Sequence, residues 1–288
     1  MSSDDVNDMG YDWRAAEIDL MGGIDDAVPH SARIWDYWLG GKENYRIDQQ
    51  AGEQFTAIYP RIADTAYACR YFTSRVVQHL ASERGVSQFL DIGPGMPRTD
   101  IHEADSVHQI AQRVNPKAHV VYVDNDPLTL AYARALLTAK PPGRVDVING
   151  DLADPDTIMH TAGARLDLRK PVAVLLMSVM RHISISGATD STARSIVRRL
   201  RDKLPAGGYL AVCDITDTDD ALSEAVRLYN ATGAAPWHLR SPAQITALWD
   251  GLDLLHPGVV PVPQWRPDLA PLGEPPRVDA WGGLGGWS

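Results

Sequence analysis

The sequence predicts an α/β protein built on a doubly wound, mostly parallel sheet. Three observations carry this expectation. Strand-like and helix-like stretches alternate from residue 87 to residue 214, the order that builds a parallel sheet through helical crossovers. Pro171 to Met180 is an almost unbroken apolar run, the pattern of a central strand covered on both faces. Three further runs carry an acid at or near their carboxyl ends, at Asp91, Asp124 and Asp151. That edge is where open α/β sheets bind ligands.

Residues 1–28 show little periodicity and read as a loose segment. Residues 29–86 read as helical. Pro29 and Ser31 resemble a helix start, Gly40-Gly41 a stop, and Ile34, Trp35, Trp38 and Leu39 share one helical face. This stretch is either a packing helix with a glycine cap or a lid that sets its aromatics, Lys42, Asn44 and Tyr45 over a pocket. Tyr67, Tyr71, Phe72, Val76, Val77 and Leu80 recur at helical spacing until Gly85 closes the run.

The first strand, at 87–92, places Asp91 among Phe89, Leu90 and Ile92. A buried carboxylate without a partner is costly, so Asp91 calls for backbone or ligand donors. Gly93 and Gly95 permit a sharp turn and close approach to a bound molecule. A helix is expected at 104–114. His102 and His108, with Glu103 or Asp105, lack the spacing of a helical His-Glu-x-x-His site and are read as solvent-facing, so no metal is expected. The second strand is His119 to Asp124. Asp126-Pro127 suits a helix cap followed by proline at the first helical position, which leaves Asp124 for a ligand, as for ribose hydroxyls.

The third strand is Val145 to Leu152, and Asp154-Pro155 opens the next helix, so Asp151 is not needed as a cap. Ser178, Arg181 and His182 fall at or just past the end of the central apolar strand. The helix at 189–203 carries Arg194, Arg198, Arg199, Arg201 and Lys203. A solvated face explains them better than an RNA-binding one. A strand from Tyr209 to Asp214 follows, then helices at 219–231 and 242–249. Two short strands flank His256-Pro257-Gly258, with prolines suited to a sheet edge. The tail rich in Gly, Pro and Trp is not placed by its sequence.

Composition narrows the function. With 44% hydrophobic and 22% charged residues in 288, the chain is an ordinary globular sequence, and no apolar run reaches a membrane span. A net charge of −10 argues against nucleic acid and anionic membranes as partners. Two cysteines, Cys69 and Cys213, argue against a disulfide framework and fit a reducing cytoplasm.

Taken together, Leu90-Asp91-Ile92-Gly93-Pro94-Gly95, the strand end at Asp124, Gly150-Asp151-Leu152 and Leu204-Pro205-Ala206-Gly207-Gly208 resemble the ordered motifs of class I S-adenosylmethionine-dependent methyltransferases. More narrowly, the stretch Ala32 to Tyr45, Gln88 to Gly95, Tyr122 to Pro127 and Pro257 to Val260 resemble an actinobacterial family of such enzymes, formerly catalogued as a domain of unknown function. The resemblance covers about 29–268. It implies a seven-stranded Rossmann-like methyltransferase sheet at 87–268, an N-terminal helical lid at 29–86 and a separate tail at 269–288.

It also implies that S-adenosyl-L-methionine is the cofactor. The Gly93-Pro94-Gly95 turn would pass under its methionine part, and Asp91 would hold the ammonium. Asp124, with Asn125 beside it, would take the ribose, and Asp151 with Leu152 the adenine. Met177 and Ser178 would flank the sulfonium. Tyr37 and Lys42 would come from the covering segment, with Lys42 meeting the carboxylate. Among catalytic candidates, His182 is the leading general base and Tyr45 the next.

The stretch Ser178-Val179-Met180-Arg181 stands where amide- or base-nitrogen methyltransferases carry Asn/Asp-Pro-Pro-Tyr/Phe, so a small molecule or peptide is the expected acceptor. Two other readings stand beside this one: a module that binds the cofactor without turnover, and a nicotinamide oxidoreductase. The second is opposed by Arg98, at the position of the third fingerprint glycine.

Overall fold

The computed structural model describes residues 26–97, 106–187, 190–267 and 277–287. The expectations for residues 1–25, for Arg98, His102, Glu103 and Asp105, and for 268–276 lie outside the described residues.

Within the described residues three helices come first: α1 (Ser31–Trp38), α2 (Arg46–Ile58) and α3 (Ile62–Glu83). The break at Pro60 falls between α2 and α3, as the periodicity indicates. Alternating units follow: β1 (Gln88–Ile92), α4 (Val107–Val114), β2 (His119–Asp124), α5 (Pro127–Leu136), β3 (Arg144–Asn149), α6 (Pro155–Gly163), β4 (Ala173–Met177), α7 (Ser191–Arg201), β5 (Tyr209–Ile215) and α8 (Asp220–Tyr229). The short α9 (Pro242–Thr246), two-residue strands β6 (Asp253–Leu254) and β7 (Val260–Pro261), and β8 (Ala280–Gly286) complete the described chain.

The sheet order is β3-β2-β1-β4-β5-β8-β6, with β7 also paired to β8. β1 to β5 are mutually parallel and β8 runs antiparallel to β5. The chain therefore winds outward through β2 and β3, returns, and restarts beside β1 at β4. The gap between β1 and β4 is the topological switch point, where a crevice opens beyond the strand ends.

Side-chain alternation divides the core in two. Phe89, Val120, Tyr122, Leu175 and Cys213 face the N-terminal helices and α8. Leu90, Ile92, Val121, Val123, Leu176 and Val212 face α6, α7 and α9. The period of two puts Asp91 on the side of Phe89, beneath α3.

Among the described residues the sheet has eight strands rather than seven. The two terminal strands shrink to two residues each and pair with β8, not with each other. β8 itself lies in the tail that the sequence left unplaced, and it sits inside the sheet. The cationic face of α7 is solvated, as expected: Arg194 meets Asp250 at 2.9 Å and Arg199 meets Asp156 at 2.7 Å. No helix among the described residues is long and apolar enough to cross a membrane.

Candidate functional site

A two-lobed cleft opens at the switch point. The larger lobe, about 360 Å³, runs along the tips of β1, β2, β3 and β4. The smaller, about 110 Å³, lies between the β1 turn and α3. They meet at Ala32, Trp35, Pro94, Gly95, Met177 and Ser178. α1 lies over the cleft, where Ala32 and Trp35 line both lobes, and it also packs into the core through Ile34 and Trp38.

The floor is the β1 turn. Gly93 (φ 71°) and Gly95 (φ 70°) both adopt left-handed backbone, which glycine reaches without strain. Gly93 donates its N–H to the Val123 carbonyl at 2.8 Å. A Cβ on Gly93 would press into Val179, whereas no heavy atom lies within 4 Å of the point a Gly95 Cβ would take. Protein therefore fills one side of the turn, and the cleft takes the other.

Two acids at neighbouring strand tips set the electrostatics. Burial raises Asp91 to about 7; the charge of Asp124 adds to the rise and Arg70 opposes it. Burial likewise raises Asp124 to about 6, against the pull of the Asp126 backbone N–H at 3.0 Å. Asp126 caps α5 through Thr129 N–H at 2.7 Å, as the sequence indicates. Asp124 is thus free of capping duty. The Asp124 backbone carbonyl accepts the Gly150 N–H at 3.0 Å, which joins the end of β2 to the next loop. Asp151 is exposed at the cleft rim, with Oδ1 accepting from Ala153 N–H at 2.8 Å, and Leu152 is buried beside it. These buried or partly partnered carboxylates are short of donors, the need that a ligand with hydroxyl or ammonium groups would meet.

At the end of β4, Ser178 takes φ 59°, an uncommon conformation for a residue with a side chain. It turns the chain so that Arg181 and His182 follow on the cleft wall. Arg240 holds this segment from below, donating to the Met180 carbonyl at 2.6 Å and the Ile183 carbonyl at 2.8 Å, and pairing with Asp190.

The lid has its own anchors. Arg33 and Asp48 form a buried pair at 2.7 Å, and Asp48 also accepts the backbone N–H groups of His30 and Tyr45, each at 2.8 Å. Asp36 binds Glu43 N–H at 3.0 Å and Asn44 at 2.9 Å. His30 Nε2 reaches Asp126 at 3.4 Å, tying the lid to the tip of β2.

The cleft brings together Asp91, Gly93, Pro94, Gly95, Asp124, Asn125, Asp151, Leu152, Met177, Ser178 and His182. Three residues are not brought there. Tyr37 is on the other side of α1, packed against Gly52 of α2. Lys42 is exposed and absent from the cleft wall. Tyr45 is 40% exposed beneath Arg33, outside the cleft. The Gly40-Gly41 turn, folded back on Asp36, carries Lys42 and Tyr45 away from the crevice.

His182 does reach the cleft, but burial, reinforced by the charge of Arg181, depresses it to about 3, so it is neutral at ordinary pH and a weak base. The sequence reading missed Arg70, Thr73 and Ser74, which line the smaller lobe from α3. Their spacing of three and four, a polar stripe on a helix otherwise facing inward, is a signal that would have found them. It also missed Asp36, which lines the smaller lobe from α1. Among the described residues, no cluster of His, Cys, Asp or Glu suits a metal ion.

Comparison with known proteins points the same way. The sequence profile of the family described as S-adenosyl methyltransferase matches residues 19–287. A DUF574 family protein from Streptomyces avermitilis is 36% identical over 92% of this chain and 99% of its own, with a TM-score of 0.83. A candidate methyltransferase from Thermobifida fusca is 31% identical over 91% of this chain and 96% of its own, with a TM-score of 0.81. None of the curated proteins compared with the chain matches it. A profile match over nearly the whole length, on a cleft with this arrangement of acids and glycines, leads to one conclusion: the chain belongs to the S-adenosyl methyltransferase family, and S-adenosylmethionine is its cofactor.

Proposed function

We propose that the protein is an active methyltransferase that moves the methyl group of S-adenosylmethionine to a small molecule or peptide held at the far end of the larger lobe. The observation that carries this reading is the convergence of Asp91 and Asp124, at adjacent strand tips, on the open side of Gly95. When bound, the cofactor supplies an electrophilic methyl group on a sulfonium.

The chain's own residues do the rest. Asp124 and Asn125 hold the ribose, and Asp151 with the Leu152 backbone N–H orients the adenine. Asp91 binds the ammonium. Arg70, with Thr73 and Ser74, replaces Lys42 as the partner of the carboxylate, since these residues line the lobe where it would lie. Met177 and Ser178 wall the methyl site, and Trp35 on α1 excludes water over both lobes. Catalysis then rests on holding the nucleophile in line with the methyl carbon.

A calorimetric titration with S-adenosylmethionine tests the reading. Asp124→Ala is expected to weaken affinity at least tenfold with the fold intact by circular dichroism. Unchanged affinity would sink it. Transfer of labelled methyl to an extract separates an enzyme from a module that binds without turnover.

A further inference from the structure

The chain's two cysteines, far apart in sequence, meet beneath the cleft. The period of two along β5 turns Cys213 toward the N-terminal helices, in register with Met177 of β4 on one side and Gly282 of β8 on the other. Gly282 keeps this spot open. A Cβ there would lie 2.8 Å from that of Cys213 and 2.9 Å from the Phe72 ring. The missing side chain lets α3 settle closely on β5. Cys69 precedes Phe72 by one helical turn and shares its inward face on α3.

Both cysteines are free, and their contacts are polar. The two thiols are hydrogen-bonded to each other, and each is hydrogen-bonded to the Ser178 hydroxyl. Cys213 Sγ stands 3.9 Å from Ser178 Oγ and 3.8 Å from Met177 Sδ. Ser178 and Met177 belong to the junction of the two lobes, so the thiol pair lies directly under it.

The two thiols are not equivalent. A thiol sealed in apolar surroundings is inert, whereas a reactive one combines access with a stabilised thiolate. Cys69 is part of the wall of the smaller lobe, beside Arg70, Thr73 and Ser74 of the same helix. Its hydrogen bond with Cys213 lowers its pKa below the ordinary thiol value, helped by Ser178 and the charge of Arg181 and opposed by burial and Asp214. Cys213 is fully buried and lines neither lobe. The same hydrogen bond, together with burial, pushes its thiol up. One reachable thiol with thiolate character, touching one sealed thiol, is the arrangement of an attacking and a resolving cysteine.

We propose that Cys69 and Cys213 are a redox pair: a hydroperoxide oxidises Cys69, Cys213 resolves it, and the disulfide so formed ties α3 to β5 and weakens cofactor binding. The steps balance. The Cys69 thiolate attacks one peroxide oxygen and the O–O bond breaks. Cys69 becomes a sulfenic acid, and the departing hydroxide takes a proton to leave as water. The Cys213 sulfur then bonds the Cys69 sulfur as the S–O bond breaks, and the hydroxide leaves with the Cys213 proton as a second water. Two electrons pass from the sulfurs to the peroxide. An S–S bond of about 2.05 Å is far shorter than a hydrogen-bonded contact between sulfurs, so the bond draws α3 toward the sheet. Arg70, Thr73 and Ser74 move with it. The effect on the cofactor rests on the placement given under Proposed function, with the methionine part in the smaller lobe. A ligand there covers Cys69, so cofactor binding and oxidation oppose one another.

The full chain, reduced and freed of thiols, is treated with hydrogen peroxide. The intact monomer is expected to lose the mass of two hydrogens, with peptides bearing Cys69 and Cys213 joined in a non-reducing digest and the change reversed by dithiothreitol. Both thiols staying free, oxygen added without a cross-link, or a link between two chains overturns the proposal. S-adenosylhomocysteine, titrated by calorimetry, is expected to bind the oxidised protein at least tenfold more weakly than the reduced, and to slow the oxidation when present first. A disulfide that leaves this affinity within twofold overturns the gating. Cys213→Ser is expected to take one dimedone adduct after peroxide, on Cys69, and Cys69→Ser none; the reverse pattern overturns the assigned order. Should a variant not fold, the cross-link and the affinities of the unmodified protein still decide. Reduced protein that does not bind S-adenosylhomocysteine defeats the cofactor reading instead, and the mass measurement then decides the pair on its own.

Discussion

Asp91 is the residue whose chemistry is most exposed to experiment. In the ligand-free protein its proton leaves only near pH 7, because burial and the neighbouring Asp124 both disfavour the anion. The unfolded chain gives up that proton in the ordinary carboxylate range, so Asp91 and Asp124 lower stability progressively as pH climbs toward about 7. An ammonium bound at Asp91 needs the anion, so binding expels the proton. Affinity for S-adenosylmethionine is therefore expected to be about tenfold weaker at pH 6 than at pH 8, levelling off above. Titrations in buffers of different ionisation enthalpy measure the proton released, and Asp91→Asn should abolish both the release and the slope. A flat profile in the unmodified protein would mean that Asp91 does not meet the ammonium.

Asp91 was legible in the sequence because a carboxylate inside an apolar run costs too much to bury without a partner, and Asp124 because it ends a strand while Asp126 takes the helix cap. Lys42 and Tyr45 were misplaced because their neighbourhood in sequence says nothing about which way the Gly40-Gly41 turn sends the chain. Only the Asp36 contacts decide that.

Among the elements, α1 bears most on function, and its anchoring is polar where its packing is aromatic. Trp38 meets Phe55 in a tilted contact at 4.9 Å and Trp237 edge-on at 5.8 Å, while Asp48 gathers Arg33 and two backbone N–H groups in a fully buried site. Asp48→Ala strands a buried guanidinium and two backbone donors. It is expected to cost about 3–5 kcal/mol, the range for breaking one partner of a buried pair. Chemical denaturation measures this, and a loss under about 1 kcal/mol would show that the lid is held by its aromatics alone.

Helical periodicity made α1 and α3 readable. β8 was unreadable for the opposite reason: Ala-Trp-Gly-Gly-Leu-Gly-Gly has almost no strand propensity. Its glycines answer to packing. A Cβ on Gly282 would lie 2.8 Å from that of Cys213, and one on Gly285 would lie 2.5 Å from the Trp249 ring. Bulky neighbours lie directly against this strand, a constraint visible only once the sheet is assembled.

At the scale of the whole molecule, the cleft is assembled from distant parts of the chain. The N-terminal helices cover it, β1 to β4 form its floor, and the loop after α8 supplies Ala235. A motif read from one stretch could find the cofactor's adenosyl half, because the strand tips lie within one run of alternating elements. The far end of the larger lobe joins α1, the β4 turn and the loop that carries Ala235, and no local pattern links them.

The same dispersal means that ligand binding should stabilise the fold as one unit rather than one corner of it. At a free concentration a hundred times its dissociation constant, a ligand specific to the native state adds about 2.7 kcal/mol. For a chain of this size that corresponds to a rise in melting temperature of about 4–5 °C. S-adenosylmethionine and S-adenosylhomocysteine are each expected to produce such a rise in differential scanning fluorimetry, in a single transition. NAD at the same concentration should leave the midpoint unmoved. A second transition that ignores the cofactor would show that the lid helices and the sheet unfold separately. An equal shift with NAD would mean that the cleft accepts dinucleotides, and that the specific roles assigned to Asp91 and Asp124 are wrong.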